Sequence, residues 1–290
     1  MLEDVSDLLA DPVDGTALSS QDGYRSLVSA QGRSYEVCAD GFVTLAACET
    51  LAHDGDDAQM VADRETFLSQ GHYAPFVEAV TQGVHDALDD AGVGNDIAPA
   101  LCEIGAGTGY YLSHTLDAVD DSRGVGIDVS YPAVQKLTTS HSRVGAVVAD
   151  ALERLPLRDE CIHALTVIFA PHNSAEFARV LAPGGSVVVL NAESGHLREL
   201  REPLGIMDVE PGSTERIIED MAQYFVPVQA PQLVEFKMRL DQPSIAAQIG
   251  MSPSARHIEP EVLHQRVATL PERMDITARA SITRFVRPAE

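Results

Sequence analysis

The sequence predicts an α/β protein: a mostly parallel sheet flanked by helices, with a small β-rich module at its N-terminus. Three observations lead there. Strand and helix signals alternate through residues 100–192, the pattern that βαβ units and a parallel sheet produce. An apolar strand, Leu101 to Ile104, runs straight into Gly105, Gly107 and Gly109, and a helix starts behind them. Residues 1–48 instead carry short apolar segments between turn dipeptides: Asp11-Pro12, Asp14-Gly15, Asp22-Gly23, Gln31-Gly32 and Asp40-Gly41.

The elements follow in order. Tyr24 to Val28, Ser34 to Val37 and Phe42 to Leu45 read as hairpin strands of the module, which is too short to hold a large core alone. His53 to Asp57 is an acidic, glycine-containing linker. A helical pattern runs from Ala58 to a stop at Gly71, and Phe76, Val80, Val84 and Leu88 mark an amphipathic helix by their four-residue spacing. Strands are expected at Ala100 to Ile104, Gly124 to Asp128, Ala146 to Asp150, Ala164 to Phe169 and Ser186 to Asn191, with helices at about 110–118, 131–139 and 174–181. Beyond Gly195 a helix at 196–204 and a helical run from Ser213 to Tyr224 are expected. Val234, Phe236, Met238 and Leu240 alternate with charged residues, as a half-buried antiparallel strand does, and Ser281 to Arg287 alternates similarly.

Composition narrows the function. The chain has 290 residues, 45% of them hydrophobic, with no Trp and a net charge of −24. No apolar run approaches the ~18 residues that span a bilayer, and the opening Met1-Leu2-Glu3-Asp4 has no leader-like features, so a cytoplasmic protein without membrane partners is expected. Cys38, Cys48, Cys102 and Cys161 form no CxxC pair and read as reduced, partly buried small hydrophobes. The acidity repels nucleic acid at long range and argues against a generic nucleic-acid binder. It is uneven: residues 1–65 carry 3 basic and 14 acidic side chains, whereas residues 230–290 carry 8 and 7. A surface for an anionic partner would therefore draw on Lys237, Arg239, Arg256, Arg266 and Arg273.

The stretch Gly105-Ala106-Gly107-Thr108-Gly109 is the most informative. Glycines permit a tight turn and close backbone approach, and the helix beyond offers free N–H groups. Glu103 just before them suits a cationic ligand better than a pyrophosphate. Asp128 ends the next strand and can accept both ribose hydroxyls of an adenosine, with Val129 beside it. Asp150, followed by Ala151, closes the third strand. The order Gly-x-Gly-x-Gly differs from the Gly-x-Gly-x-x-Gly of dinucleotide folds. It resembles motif I of the S-adenosylmethionine (SAM) dependent methyltransferases, and Leu181-Ala182-Pro183-Gly184-Gly185 resembles their turn before the fifth strand.

Further segments resemble one such family. Gly55 to Arg64 is similar to its "GDS-x-x-M-x-x-A/D-R", Phe67 to Pro75 to its "FL-x-x-GHY-x-P", and Gly105 to Tyr111 to its "G-x-G-x-GYY". Phe169-Ala170-Pro171, His196-Leu197-Arg198-Glu199-Leu200 and Gly250-Met251-Ser252-Pro253 resemble three more of its segments. The family is the 23S ribosomal RNA (guanine-N1-)-methyltransferases, including macrolide-resistance enzymes. The resemblance implies a Rossmann-like methyltransferase domain over residues 76–290, a linker and cofactor-covering helix over 51–75, and a degenerate zinc-ribbon-like module over 1–50. It implies SAM as cofactor, a 23S rRNA hairpin as acceptor and a homodimer. Tyr73, Gly107, Thr108 and His196 match cofactor contacts of the family.

One departure stands out. Family members carry four zinc ligands at positions that here read Asp11, Asp14, Ser29 and Arg33. A structural zinc takes thiolates and imidazoles, so no zinc is expected. Guanine N1 must lose its proton to accept a methyl, and His172 or His196 could be the base, with Tyr73, Phe169 and His172 as candidate pocket walls. A small-molecule acceptor, or SAM binding without turnover, are the other readings. A positive cleft would favour RNA, a closed apolar pocket a small molecule, and a blocked cofactor site the non-enzyme.

Overall fold

The computed structural model describes residues 1–47, 51–93 and 97–288. The sequence reading of Cys48 lies outside them. The module contains α1 (Leu2–Val5), β1 (Leu18–Gln21), β2 (Ser26–Ser29) and β3 (Ser34–Glu36), with β4 (Val43–Thr44) after it. Then come α2 (Ala58–Leu68) and α3 (Ala74–Asp90). The alternating region follows as β5 (Ala100–Ile104), α4 (Tyr110–Ala118), β6 (Arg123–Asp128), α5 (Tyr131–Leu137), β7 (Val144–Val148), β8 (Ile162–Ile168), α6 (Ser174–Val180) and β9 (Leu181–Ala192). The last part holds α7 (Arg201–Leu204), α8 (Ser213–Met221), β10 (Val226–Pro227), β11 (Gln232–Asp241), α9 (Gln242–Gly250), α10 (Pro260–Val267) and β12 (Arg273–Val286).

The main sheet runs β10-β12-β9-β8-β5-β6-β7-β4, with β11 also paired to β12. From β4 to β9 all neighbours are parallel, and β12 is antiparallel to β9, β10 and β11. The chain winds outward from β5 through β6 to β7, then returns to β8 on the other side of β5. Ligands of open α/β sheets bind outside the carboxyl ends of strands at such a reversal. All five residues of β5 are buried, as expected of a central parallel strand covered on both faces, and Glu103 is the one ionisable carboxyl among them. Phe76, Val80, Val84 and Leu88 of α3 are buried along one stripe, as their spacing predicts.

Several expectations are corrected. Phe42 to Leu45 keeps only one antiparallel bridge to the module, Val43 to Val37 across the turn at Cys38 to Gly41; its ladder is with β7, in parallel, at the edge of the main sheet. The three-stranded module sheet instead takes β1, which the turn signals did not isolate. The third parallel strand ends at Val148, so Asp150 lies two residues past it. β12 starts eight residues before Ser281, and helices α9 and α10 were not anticipated. Cys38 is exposed rather than partly buried.

The module is fastened to the sheet rather than standing apart. Val5 occupies the space where a Cβ at Gly145 of β7 would be, and Leu9 bridges to Leu157. Asp7 receives both Nη1 (2.5 Å) and Nη2 (2.8 Å) of Arg123. Within it, Asp11, Asp14, Ser29 and Arg33 do come together. The fully buried Asp11 carboxylate accepts from Arg33 Nη1 (2.6 Å), Tyr35 OH (3.1 Å) and the Val13 N–H (2.7 Å). Arg33 Nη1 lies 3.6 Å from Asp14, and its backbone N–H donates to Ser29 Oγ at 3.2 Å. Among the described residues, no group of three or more His, Cys, Asp and Glu side chains is arranged to hold a metal.

Burial pushes the Asp11 carboxyl up, but the bonds from Val13, Arg33, Ser29 and Tyr35 outweigh it and leave the group below its ordinary value. A carboxylate lowered in the folded state stabilises above its unfolded pKa, about 4, and that contribution fades as pH falls through the folded value. Arg33→Met strands the Asp11 charge and should lower the urea unfolding midpoint at pH 7, and lower it less near pH 3. Excess chelator should leave the unfolding midpoint of the unaltered chain where it was.

Candidate active site

The turn after β5 is built on three residues with positive φ: Gly105 (65°), Gly107 (55°) and Gly109 (82°). At two of them crowding adds to the backbone requirement. A Cβ on Gly105 would lie 2.5 Å from the Ala170 Cβ, and one on Gly109 would lie 2.5 Å from Ser140 Oγ. Gly107 faces open space except for Arg64, whose Cδ would sit 3.5 Å from its Cβ. The Gly107 N–H donates to Asp128 Oδ2 (2.8 Å), and Asp128 Oδ1 accepts from the Ser130 N–H (2.9 Å). Burial raises the Asp128 carboxyl, and these two bonds work against the rise. Thr108 has neither its N–H nor its hydroxyl bonded among the described residues. Ala106, expected in the cofactor set, turns inward instead. Its N–H goes to Ile127 O, its carbonyl accepts from Gly109, and its side chain is buried, so it has little left for a ligand.

Glu103 is 2% exposed, and its Oε2 has no hydrogen-bond partner. Burial and the nearby Asp128 charge push its carboxyl well above the ordinary range, against a bond from the Leu112 N–H at the start of α4. A buried acceptor without a partner is costly, which makes it a seat for a donor from outside.

Asp150 accepts from the Leu152 N–H (2.9 Å) and is paired with His53 Nδ1 (2.6 Å). Val129 and Ala151 are half-buried beside Asp128 and Asp150. The linker carrying His53 crosses the ends of these strands: Ser130 Oγ donates to Asp56 O at 2.6 Å, and a Cβ on Gly55 would collide with Ser130. Asp57 then caps α2 by accepting from the Met60 N–H at 2.9 Å.

On the other side of the turn lies an aromatic cluster. Tyr73 is 3% exposed, with Phe67, Phe76, Phe169 and His196 within 5.0–6.4 Å, centroid to centroid. His196 Nδ1 accepts the Arg279 N–H at 3.0 Å, which fixes the proton on Nε2, and Nε2–H points to the Tyr73 hydroxyl at 3.3 Å. Burial lowers the His196 pKa to about 4. A ring with its only lone pair already engaged is a neutral donor, so His196 does not fit the role of general base. Phe169 follows β8 with φ 52°, a strained conformation for a bulky residue, and the residue is 42% exposed. His172 follows three residues later, its Nε2 3.3 Å from Asp220 Oδ2.

The pieces suit an adenosyl sulfonium amino acid. Asp128 can take ribose hydroxyls, Asp150 an adenine edge, and Glu103 an ammonium. A methyltransferase-domain family model matches residues 101–185, which hold the glycine turn and both aspartates. The chain is 36% identical, over 94% of its length and 95% of the relative's, to a putative 23S rRNA (guanine-N(1)-)-methyltransferase of Micromonospora griseorubida. It is 35% identical, over 89% of its length and 90% of the relative's, to the 23S rRNA (guanine(748)-N(1))-methyltransferase of Streptomyces fradiae. The chain belongs to the 23S rRNA (guanine-N1-)-methyltransferase family. Its cofactor is SAM.

Three residues that the sequence reading did not place in the site also lie near it. Arg64, Tyr111 and Gln248 lie close to Tyr73. Arg64 was visible as the end of a family-like segment, Tyr111 as the last residue of another, and nothing local marked Gln248. A cavity of about 580 Å³ lies apart from the glycine turn, between Gly205, Met207, His257, Ile258, Val262 and Arg266. No helix of the described residues is long and apolar enough to cross a membrane.

Ring titration by NMR should separate the two histidines at the cleft. His196 should stay neutral down to about pH 5. His53, raised by Asp150, should titrate above 6.5; its clasp is complete below that value and weakens as pH rises through the folded pKa.

Proposed function

We propose that this enzyme methylates N1 of a guanine in a 23S rRNA hairpin. The relatives' activity, carried over nearly the whole length, is the observation that supports the reading most. SAM supplies an activated methyl group that leaves in an in-line displacement. Gly105, Gly107, Thr108 and Gly109 form the cradle for it, with Asp128 and Val129 at the ribose, Asp150 and Ala151 at the adenine, and Glu103, Tyr73 and His196 at the opposite end.

N1 lies on the pairing edge, so the guanine must be unpaired or turned out of the stack before it can be reached. Phe169 is the wall on which it stacks: the residue is already exposed, and its backbone strain holds it just past the end of β8. His172, oriented by Asp220, takes the N1 proton, and the methyl then bonds to the freed lone pair. Tyr73 and His196 shape the cleft as neutral hydrogen-bonding partners.

Holding RNA on a chain of charge −24 requires unpaired cations. Lys237 is paired with Glu199 (2.5 Å), Arg239 with Asp275 (3.6 Å) and Arg256 with Asp56 (3.9 Å). Arg266 and Arg273 have no ion pair among the described residues, and Arg266 borders the 580 Å³ cavity. Through this C-terminal group, RNA binding rests on few phosphates and more on base contacts. A homodimer is part of the proposal, and exposed Val226, Val228 and Leu233 offer an apolar face for a second copy. An rRNA acceptor puts the work in the cytoplasm. The pairing of three of the five C-terminal cations favours a second reading, a small non-RNA acceptor.

The test is labelled-methyl transfer from SAM to an unmodified 23S rRNA hairpin transcript, followed by primer extension. A stop at one guanine is expected, because methylation at N1 blocks pairing. His172→Ala should lower kcat roughly 100-fold or more at pH 7, with the deficit shrinking at high pH as hydroxide removes the N1 proton. Phe169→Ala should raise KM for RNA while SAM affinity stays within about twofold. With about two phosphate contacts, the log–log salt slope of RNA binding should be only about −1.5. No transfer to RNA, with SAM still bound, selects the second reading.

A further inference from the structure

We propose that Arg64 binds the α-carboxylate of SAM, with Asp56 as the residue that positions it. Arg64 sits on α2 directly over the glycine turn, its Cδ 3.5 Å from where a Gly107 Cβ would be. Its fork is held from one side only. Nε (3.2 Å) and Nη2 (2.5 Å) both donate to Asp56 Oδ2, and Nη2 also donates to Met251 O (3.0 Å). Nη1 has no partner among the described residues, and 28% of the side chain remains exposed. Asp56 is shared with Arg256 (3.9 Å), so these three side chains together keep one net positive charge.

The surroundings complement an amino acid. The Arg64 charge acts on Tyr73, Tyr111 and Asp128, so all three lie within its reach. Three buried polar atoms there have no partner: Tyr111 OH, Glu103 Oε2 and Gln248 Oε1. Their residues are only 7%, 2% and 3% exposed, so water does not readily compensate them. A carboxylate needs donors, which Arg64 Nη1 and Tyr111 OH provide. An ammonium needs acceptors, which Glu103 and Gln248 provide. An Arg fork with one nitrogen left free binds a carboxylate by a charge-assisted hydrogen bond. The inference rests on the cofactor alone and stands whatever the acceptor is.

Calorimetry with two probes tests it. S-adenosylhomocysteine has the carboxylate; 5′-methylthioadenosine lacks the whole amino-acid end. Arg64→Met should weaken the first roughly 10- to 100-fold and change the second by less than about twofold. Arg64→Lys, which keeps the charge and loses the fork, should fall between. If Arg64→Met does not fold, the Lys variant carries the comparison, again with selective loss for S-adenosylhomocysteine. Equal weakening of both probes would overturn the proposal and leave Arg64 as a bracket between α2 and Met251. Unchanged affinity for S-adenosylhomocysteine would overturn it as well.

Discussion

The hydrogen bond from the Gly107 N–H to Asp128 is the contact on which the site depends. It ties the turn after β5 to the end of β6, and it exists because Gly105 and Gly109, on either side of Gly107, leave room for backbone and nothing more. Ala170 closes the space above Gly105, and Ser140 closes it beside Gly109. With the turn fixed, Glu103 is trapped below it without a full set of partners, the α4 N-terminus is presented, and Arg64 can descend onto Gly107. Removing the glycines would not simply loosen a loop. It would pull the ends of β5 and β6 out of line with the charges they carry.

Much of this was legible in the sequence, for a physical reason. Parallel strands buried on both faces read as apolar runs, and β5 was recovered residue for residue. The glycine spacing announced the turn, and strand-end carboxylates announced the ligand's polar groups. What was missed had no local signature. Helix α9 is buried nearly all round, so it shows no amphipathic period. Helix α10 buries only Leu263 and Val267, too few to count as a pattern. β4 is two residues long and finds its partner about a hundred residues away, which no neighbouring residue can signal. His196 looked like a base because an isolated imidazole titrates near neutrality. Its tautomer is set by the Arg279 backbone of β12, far along the chain, so its role could be read only from the fold.

The linker from His53 to Asp57 shows how few residues organise one cofactor cleft. It touches Asp150, Ser130 and Arg64 in sequence, one contact beside each of three successive stations of the site. Gly55 allows the close pass over Ser130, and the acidic residues around it orient cations rather than repel a ligand. A stretch that reads as a solvated charge run is, in the fold, a set of side chains with assigned partners.

The Asp11–Arg33 pair has a consequence of another kind. Four cysteine or histidine ligands at these positions would make the module answer to metal supply and to oxidants, since thiolates are lost to both. A carboxylate and a guanidinium answer to neither. They respond to ionic strength, and Arg33, at 41% side-chain exposure, lets dissolved salt reach the pair. The integrity of the module is thus coupled to the salt content of its surroundings instead of to their redox state.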